Sequence, residues 1–346
     1  MRILVVDDSA LARNALCAIF NRDDSFEVIG EAADGYAAIE LTRILRPDVI
    51  TMDVRMPHLD GLSAIEAIMS QCPTPILVVT GATEYAGRRT EFEALSRGAI
   101  QLVRKPSLAE GHEEEVTGLL DAARMSARVP VVRHIRGSRG RPTPPASNGS
   151  IGDRPPRVVL VGASTGGPGA IRGLLKGIGK GFPAPIVAVQ HLFPGFTDGF
   201  VTWLDEVSPM PVREGLPGTI LKPGYAYVVA RGASVGVSPE LTLERSRAKP
   251  GPYEPSIDAL FGSATELGPD VAAVLLTGMG DDGVEGLKAL REAGCWTAAQ
   301  DEGSSIVFGM PQQASAAEAV EFVGNPAAIA RQIVGQTAPR QIGKLP

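Results

Sequence analysis

VVLVGASTGGP, residues 158–168, is the stretch whose reading decides the fold. A short apolar run that stops at glycines and a hydroxyl side chain reads as a buried strand of a parallel sheet leading into a helix. Two further runs have the same form: PIVAVQH, 185–191, delivers His191, and VAAVLLTGMGDD, 271–282, delivers Asp281 and Asp282. In open α/β sheets the loops at the carboxyl ends of such strands form the ligand crevice. Three strand ends can therefore bring a hydroxyl, an imidazole and a carboxylate to one point, which is the inventory of a serine hydrolase.

Working outward, strand–helix alternation continues from Val158 to about Val334, with GLLKGI, FTDGFVTWLDEV, SIDALFGSATEL, VEGLKALREAG and PAAIARQIV as helices. The stretch Val212–Ser246 is richer in Gly, Pro and β-branched residues and suggests a β-hairpin or short strands outside the main sheet. The first 125 residues show the same alternation. Candidate strands are Ile3–Val6, Glu27–Ile29, Val49–Met52, Ile76–Val79 and Leu102–Val103, separated by helical segments such as ALARNALCAIF, YAAIELTRIL and LSAIEAIM, with EEEVTGLLDAARMSA as the last helix. Between the halves, Arg128–Arg157 holds seven arginines and one acid among many Pro, Gly and Ser residues. It is too polar and broken to build a core, so it reads as a linker, with its charge either solvated or offered to an acidic partner. The expected organisation is two doubly wound parallel-sheet α/β domains, 1–125 and 158–335, joined by a linker, 126–157, and followed by a tail, 336–346.

Composition removes several classes. With 346 residues, 44% hydrophobic and 21% charged, the chain can bury two ordinary cores. Its apolar runs fall short of the ~20 residues of a membrane span, and MRILVVDDSA does not have the form of a secretory signal. Cys17, Cys72 and Cys295 are too few and too scattered for a disulfide framework or a clustered metal site. A net charge of -6 gives no general reason to bind nucleic acid. The expectation is a cytoplasmic monomer without membrane insertion.

The first half carries its own chemistry. Asp7 and Asp8 end the first strand, Asp53 the third, Thr80 the fourth and Lys105 the fifth, so all lie on one sheet edge. Three carboxylates in one pocket repel one another unless a cation joins them, and a hard divalent ion such as Mg²⁺ suits oxygen ligands. The Lys105 ammonium can balance the charge and hold a phosphoryl oxygen, Thr80 can donate a hydrogen bond to the same group, and Asp53 is the candidate acceptor of that group. Taken singly, each acid reads as a helix cap or loop acid; their recurrence at successive strand ends favours the site.

In the second half, Ser164 lies where glycines permit a tight turn and close backbone approach, and where N–H groups at a helix start favour a developing negative charge. Its hydroxyl needs a base, and His191 is the only histidine after the linker. The imidazole in turn needs an acid to fix its tautomer. GMGDDG supplies Asp281 and Asp282; Asp282 is preferred, although spacing alone leaves both open. Free N–H groups near Met279 can form an oxyanion hole. The rival readings are a phosphate loop for GASTGG, which lacks the P-loop lysine, and an acidic turn or metal loop for GMGDDG.

Two resemblances sharpen this. VVDDSA at 5–10, MDVRMPHLDG at 52–61, VVTGA at 78–82 and VRKPS at 103–107 resemble the receiver domain of bacterial two-component response regulators. That resemblance implies a flavodoxin-like fold and phosphorylation of Asp53 by a chemotaxis histidine kinase with Mg²⁺. It implies Asp8 and Asp53 as metal ligands, Asp7 in support and the Arg55 carbonyl as a further ligand. Leu102 stands where receivers carry the Tyr or Phe that rotates on phosphorylation. VGASTGGP, AVQHLFPGFT, PGYAYV, PSIDALF, LLTGMGDDG and FGMP look like the Rossmann-like catalytic domain of the CheB family. This second resemblance implies Ser164 as nucleophile, His191 as base and Asp282 as orienting acid. It places Thr165 along the site, the Met279 amide at the oxyanion and Ser256 nearby. The expected function is phosphorylation-activated removal of methyl groups from glutamate γ-methyl esters of methyl-accepting chemoreceptors, with deamidation of receptor glutamines and no cofactor for the hydrolysis. The alternatives are the same chemistry in a non-motility pathway, or a phosphorylation-controlled binding module.

Overall fold

The computed structural model describes residues 1–81, 88–106, 113–129, 131, 156–192, 195–248 and 252–335. The tail at 336–346 and nearly all of the linker lie outside the described residues. The chain divides into two compact units: Met1–Gly140 with Phe193–Trp203, and Arg141–Leu192 with Leu204–Pro346. All three cysteines are free thiols. Among the described residues no helix is long and apolar enough to cross a membrane.

The first unit runs β1 (Arg2–Val6), α1 (Ala10–Asn21), β2 (Glu27–Ala32), α2 (Gly35–Leu45), β3 (Val49–Met52), α3 (Gly61–Gln71), β4 (Ile76–Thr80), α4 (Arg88–Ser96), β5 (Gln101–Arg104) and α5 (Glu113–Ala127). Its five strands are all parallel, in the order β2-β1-β3-β4-β5. The helices start where short polar side chains cap free N–H groups: Ser9, Asp34 and Asp60 accept from Ala12, Ala37 and Ser63. Ile3, Val5, Val49, Leu77 and Val103 pack with Phe20, Phe26 and Leu119 as the core on one face of the sheet. Chain order reverses between β1 and β3, so the ends carrying Asp7, Asp8 and Asp53 flank the switch point where such sheets bind ligands.

The second half runs β6 (Val158–Ala163), α6 (Gly167–Ile178), β7 (Ile186–Gln190), α7 (Thr197–Val207), β8 (Val212–Glu214), β9 (Ala226–Val229), β10 (Val235–Val237), β11 (Leu243–Arg245), α8 (Ile257–Ser263), β12 (Val271–Leu275), α9 (Val284–Glu292), β13 (Trp296–Gln300), α10 (Met310–Ala316), β14 (Phe322–Gly324) and α11 (Pro326–Gly335). Seven parallel strands form the sheet, ordered β14-β13-β12-β6-β7-β9-β8. Every residue of β6, β7, β12 and β13 is buried, as expected for parallel strands covered on both faces.

The region 212–246 divides. β10 and β11 form the separate antiparallel hairpin, but β8 and β9 join the main sheet, because Ala226–Val229 pairs along Ile186–Val189 of β7. Here the switch point falls between β6 and β12. Register completes the placement: Ala163 lies opposite Gln190, so Ser164 and His191 follow on adjacent strand ends, while Leu275 lies opposite Gly162.

Gly162 matters because α8 comes so close. A Cβ at this position would stand 2.3 Å from Ile257 Cγ2 and 2.9 Å from Leu275 Cδ1. Gly162→Ala must push α8 away from the strand and should destabilise the second unit by about 1–3 kcal/mol. Urea unfolding followed by circular dichroism should show a lowered midpoint; an unchanged midpoint contradicts the packing described.

Candidate active site

Ser164 follows β6, and its backbone N–H donates to the carbonyl of Thr277 at the end of β12 (3.1 Å). His191 follows β7 with its N–H donating to the Ala163 carbonyl (3.1 Å). Its Nε2 lies 3.0 Å from Oδ2 of Asp282, leaving Nδ1 as the ring nitrogen not committed to that carboxylate. On one side the Tyr253 ring lies parallel to the imidazole, with centroids 5.3 Å apart. The Tyr253 hydroxyl makes a long contact, 3.4 Å, with Asp281; burial and then the Asp281 charge raise its pKa.

The two acids that spacing left level are distinct in space. Asp281 is exposed, whereas Asp282 is 2% exposed and surrounded by donors. Ile257 N–H donates to Oδ2 at 2.8 Å, and Asp258 N–H and Ser256 Oγ–H donate to Oδ1 at 2.9 and 3.0 Å. Ser256 also accepts from Ala259 N–H at 3.1 Å as the cap of α8. The first free N–H groups of α8 thus solvate the carboxylate in place of water. Burial alone raises the pKa of Asp282, but His191 and the α8 amides outweigh it and hold the group below the usual carboxylate range. Asp258 behaves oppositely. Burial pushes it up to about 6, against the hydrogen bond it accepts from Gly286 N–H.

The loop after β12 is braced by Thr277. Its hydroxyl donates to the carbonyl of Thr165 at 2.9 Å and accepts from Val307 N–H at 2.9 Å. Its amide donates to the side chain of Gln300 at 2.9 Å. Met279 is half-buried in this loop. A cavity of about 610 Å³ borders Asp281 and Asp282 and is lined by Ser234, Arg245, Tyr253 and Glu254 among others. Ser164 and His191 lie outside that lining, on the strand-end loops.

On the first sheet, Asp7, Asp8 and Asp53 each bring a carboxylate oxygen within 4.8 Å of the others. Lys105 Nζ sits 2.6 Å from both Asp7 Oδ2 and Asp53 Oδ2. Burial lowers the Lys105 pKa, but the two acids outweigh it, so the ammonium is held above its ordinary value. Burial likewise raises Asp7, with Lys105 opposing. Among the described residues, two buried acids, one exposed acid and the Lys105 ammonium leave excess negative charge among hard oxygen donors. That donor set fits a divalent cation such as Mg²⁺. The Arg55 N–H donates to Asp53 Oδ1 at 3.1 Å. Thr80, by contrast, donates its hydroxyl to the buried Glu91 at 2.6 Å. Leu102 is buried in β5 opposite Val78.

Comparison with known proteins bears on both sheets. The profile of the CheB methylesterase family matches residues 159–333, and that of the response regulator receiver domain matches residues 3–115. The chain belongs to the CheB methylesterase family. A CheB-family relative from Anaeromyxobacter dehalogenans (strain 2CP-C), named protein-glutamate methylesterase/protein-glutamine glutaminase 2, is 43% identical over 327 residues, 93% of each chain. One of the same name from Methanospirillum hungatei JF-1 is 39% identical over 350 residues, covering 99% of this chain and 100% of that one. Among solved structures, the catalytic domain of Thermotoga maritima CheB methylesterase aligns at 32% identity and a TM-score of 0.49, covering 52% of this chain and 98% of that one.

Sequence reasoning missed the bracing shell of this CheB-family site: Gln190, Tyr253, Asp258 and Thr277. The available signals were a polar residue ending an otherwise apolar strand, and a Ser–x–Asp step at a helix start.

Two acids in contact give opposite pH dependences. Asp282, lowered, stabilises the fold above its unfolded value of 3.8, and this is lost as pH falls through its lower folded value. Ser256→Ala removes one donor and the cap. It should cost about 1 kcal/mol at neutral pH and begin the acid loss at higher pH. Asp258, raised, contributes stability that is full below 3.8 and lost as pH rises through about 6. Asp258→Asn should flatten that interval. Unfolding midpoints measured across pH 2–7 for wild type and both variants check each sign.

Proposed function

We propose that this chain is a receiver-controlled serine hydrolase that cleaves glutamate γ-methyl esters, and the corresponding glutamine amides, on chemoreceptors. The observation that carries the reading is the His191–Asp282 pair at 3.0 Å, on the strand end next to Ser164. The names of the relatives support the same substrate chemistry.

His191, held by Asp282, takes the Ser164 proton at Nδ1 as Oγ attacks the ester carbonyl carbon. Negative charge develops on the carbonyl oxygen, for which the backbone N–H groups at Met279 and at the start of α6 are the candidate donors. Thr165 lines the approach. Collapse of the tetrahedral adduct breaks the carbon–oxygen bond to the methoxy group, and the imidazolium returns its proton, releasing methanol. Water, deprotonated by His191, then attacks the Ser164 ester; the bond from the acyl carbon to Oγ breaks, the imidazolium returns its proton to Oγ, and the glutamate carboxylate is freed. With a glutamine substrate the leaving group is ammonia, and the remaining steps are unchanged. Asp282, ionised throughout the neutral range, stabilises each imidazolium that forms.

Control resides in the first sheet. Asp53 accepts a phosphoryl group from a histidine kinase, and Lys105 neutralises one of its oxygens. Asp8, Asp53 and the Arg55 carbonyl, supported by Asp7, would hold Mg²⁺, whose charge offsets that of the transferring phosphoryl group. Thr80 can reach the phosphoryl group only by giving up Glu91, and Leu102 supplies no ring to follow it. We place the protein in the cytoplasm as a monomer, with the kinase and the receptors as its partners.

Methanol release from radiomethylated receptor membranes tests the reading. Wild type should release methanol faster with a small-molecule phosphodonor and Mg²⁺. Ser164→Ala should lose at least about 10³-fold, and Asp53→Asn should lose the response to phosphodonor. Release that survives Ser164→Ala would falsify the nucleophile assignment.

A further inference from the structure

Gln190 is 1% exposed at the last position of β7. Its Nε2 donates two hydrogen bonds of 2.8 Å, one to the carbonyl of Ser164 and one to the carbonyl of His191. Both partners are acceptors, which fixes the nitrogen end of the amide. One side-chain nitrogen thus ties the backbone of the nucleophile to that of the base across the two strand ends. The Ser164 carbonyl also accepts from Gly167 N–H at 2.8 Å, so the amide additionally meets the first turn of α6.

The other end of the amide is poorly served. Among the described residues Gln190 Oε1 is buried with no hydrogen-bond partner, a net loss of stability. A methionine of nearly the same shape would avoid that loss and pack as well. Gly167 shows that the surroundings are built to this amide. A Cβ there would stand 1.9 Å from Oε1 and 2.8 Å from Ala163 Cβ. Gly167 therefore offers the oxygen only its Cα hydrogen, a weak contact. The second glycine of GASTGGP and the glutamine of AVQH form one device.

We propose that Gln190 is a positioning residue that sets the distance and orientation between Ser164 and His191. The inference rests on the assignment of those two residues as nucleophile and base. A backbone displacement of about 1 Å between reacting groups can slow a reaction by ~10²-fold. The glutamine acts before substrate arrives, so its loss should appear in kcat rather than in KM.

The test compares methanol release from methylated receptor membranes by the full-length wild type, Gln190→Met, Gly167→Ala and Ser164→Ala, with thermal unfolding of each. Gln190→Met keeps volume but has no donor. It should keep KM within about two-fold while kcat falls by about ten- to one-hundred-fold per folded molecule. Gly167→Ala keeps the glutamine but drives a methyl group into Oε1, and it should show the same split. If Gln190→Met does not fold, Gly167→Ala decides alone. Wild-type kcat per folded molecule in either folded variant overturns the proposal, as does a loss confined to KM. Those results leave the nucleophile assignment standing when Ser164→Ala is inactive. Activity in Ser164→Ala removes that assignment and the proposal with it.

Discussion

A buried carboxylate must be solvated by something, and in the second unit the start of a helix does it. Isolated burial of the Asp282 charge would cost several kcal/mol. Two α8 amides, the Ser256 hydroxyl and His191 Nε2 supply the missing hydrogen bonds. Much of the local architecture follows from that demand. α8 has to start within reach of the β12–α9 loop, so Ile257 must pack into the space left open at Gly162. Ser256 has to serve two masters, donating to Asp282 while capping its own helix. The imidazole is then held edge-on to an anion whose position was set by helix geometry, and Tyr253 lies along its face.

The two units apply one topological rule to different chemistry. Each places its reactive groups where chain order reverses, between β1 and β3 in one sheet and between β6 and β12 in the other. On the first sheet, acids crowd around the Lys105 ammonium, and among the described residues negative charge is left for a cation to offset. On the second, the carboxylate is fully partnered, and a hydroxyl and an imidazole stand at neighbouring strand ends. One arrangement suits handling a phosphoryl group; the other suits attack on a neutral carbonyl.

The strand ends were legible because parallel strands buried on both faces are written as unbroken apolar runs, so the residue that stops each run announces itself: Ser164, His191, Asp53. The helix EEEVTGLLDAARMSA was equally plain, and α5 spans it from Glu113 to Ala127. Elements short or poor in large apolar residues were not. β14 has three residues, α10 reads MPQQASA, and AYVV of β9 lies in the Gly- and Pro-rich stretch that suggested a hairpin or short strands outside the main sheet. Only pairing along β7 makes β9 part of the sheet, and pairing is a tertiary fact. Gln190 was hidden for a related reason. A single polar residue ending an apolar strand has no periodic signature, and its meaning depends on two carbonyls that follow different strands. Asp281 and Asp282 are adjacent in sequence, and only burial separates them.

Because Asp282 is sealed from solvent, its support and the surface open to substrate are different parts of the molecule. A residue-by-residue map of lost activity over the second unit would therefore draw an outline larger than the area a docked substrate could cover. Residues 162 and 256–258 would fall within that outline through the field they maintain around one carboxylate. The docking footprint has to be found by binding measurements, since loss of turnover alone merges the two surfaces into one.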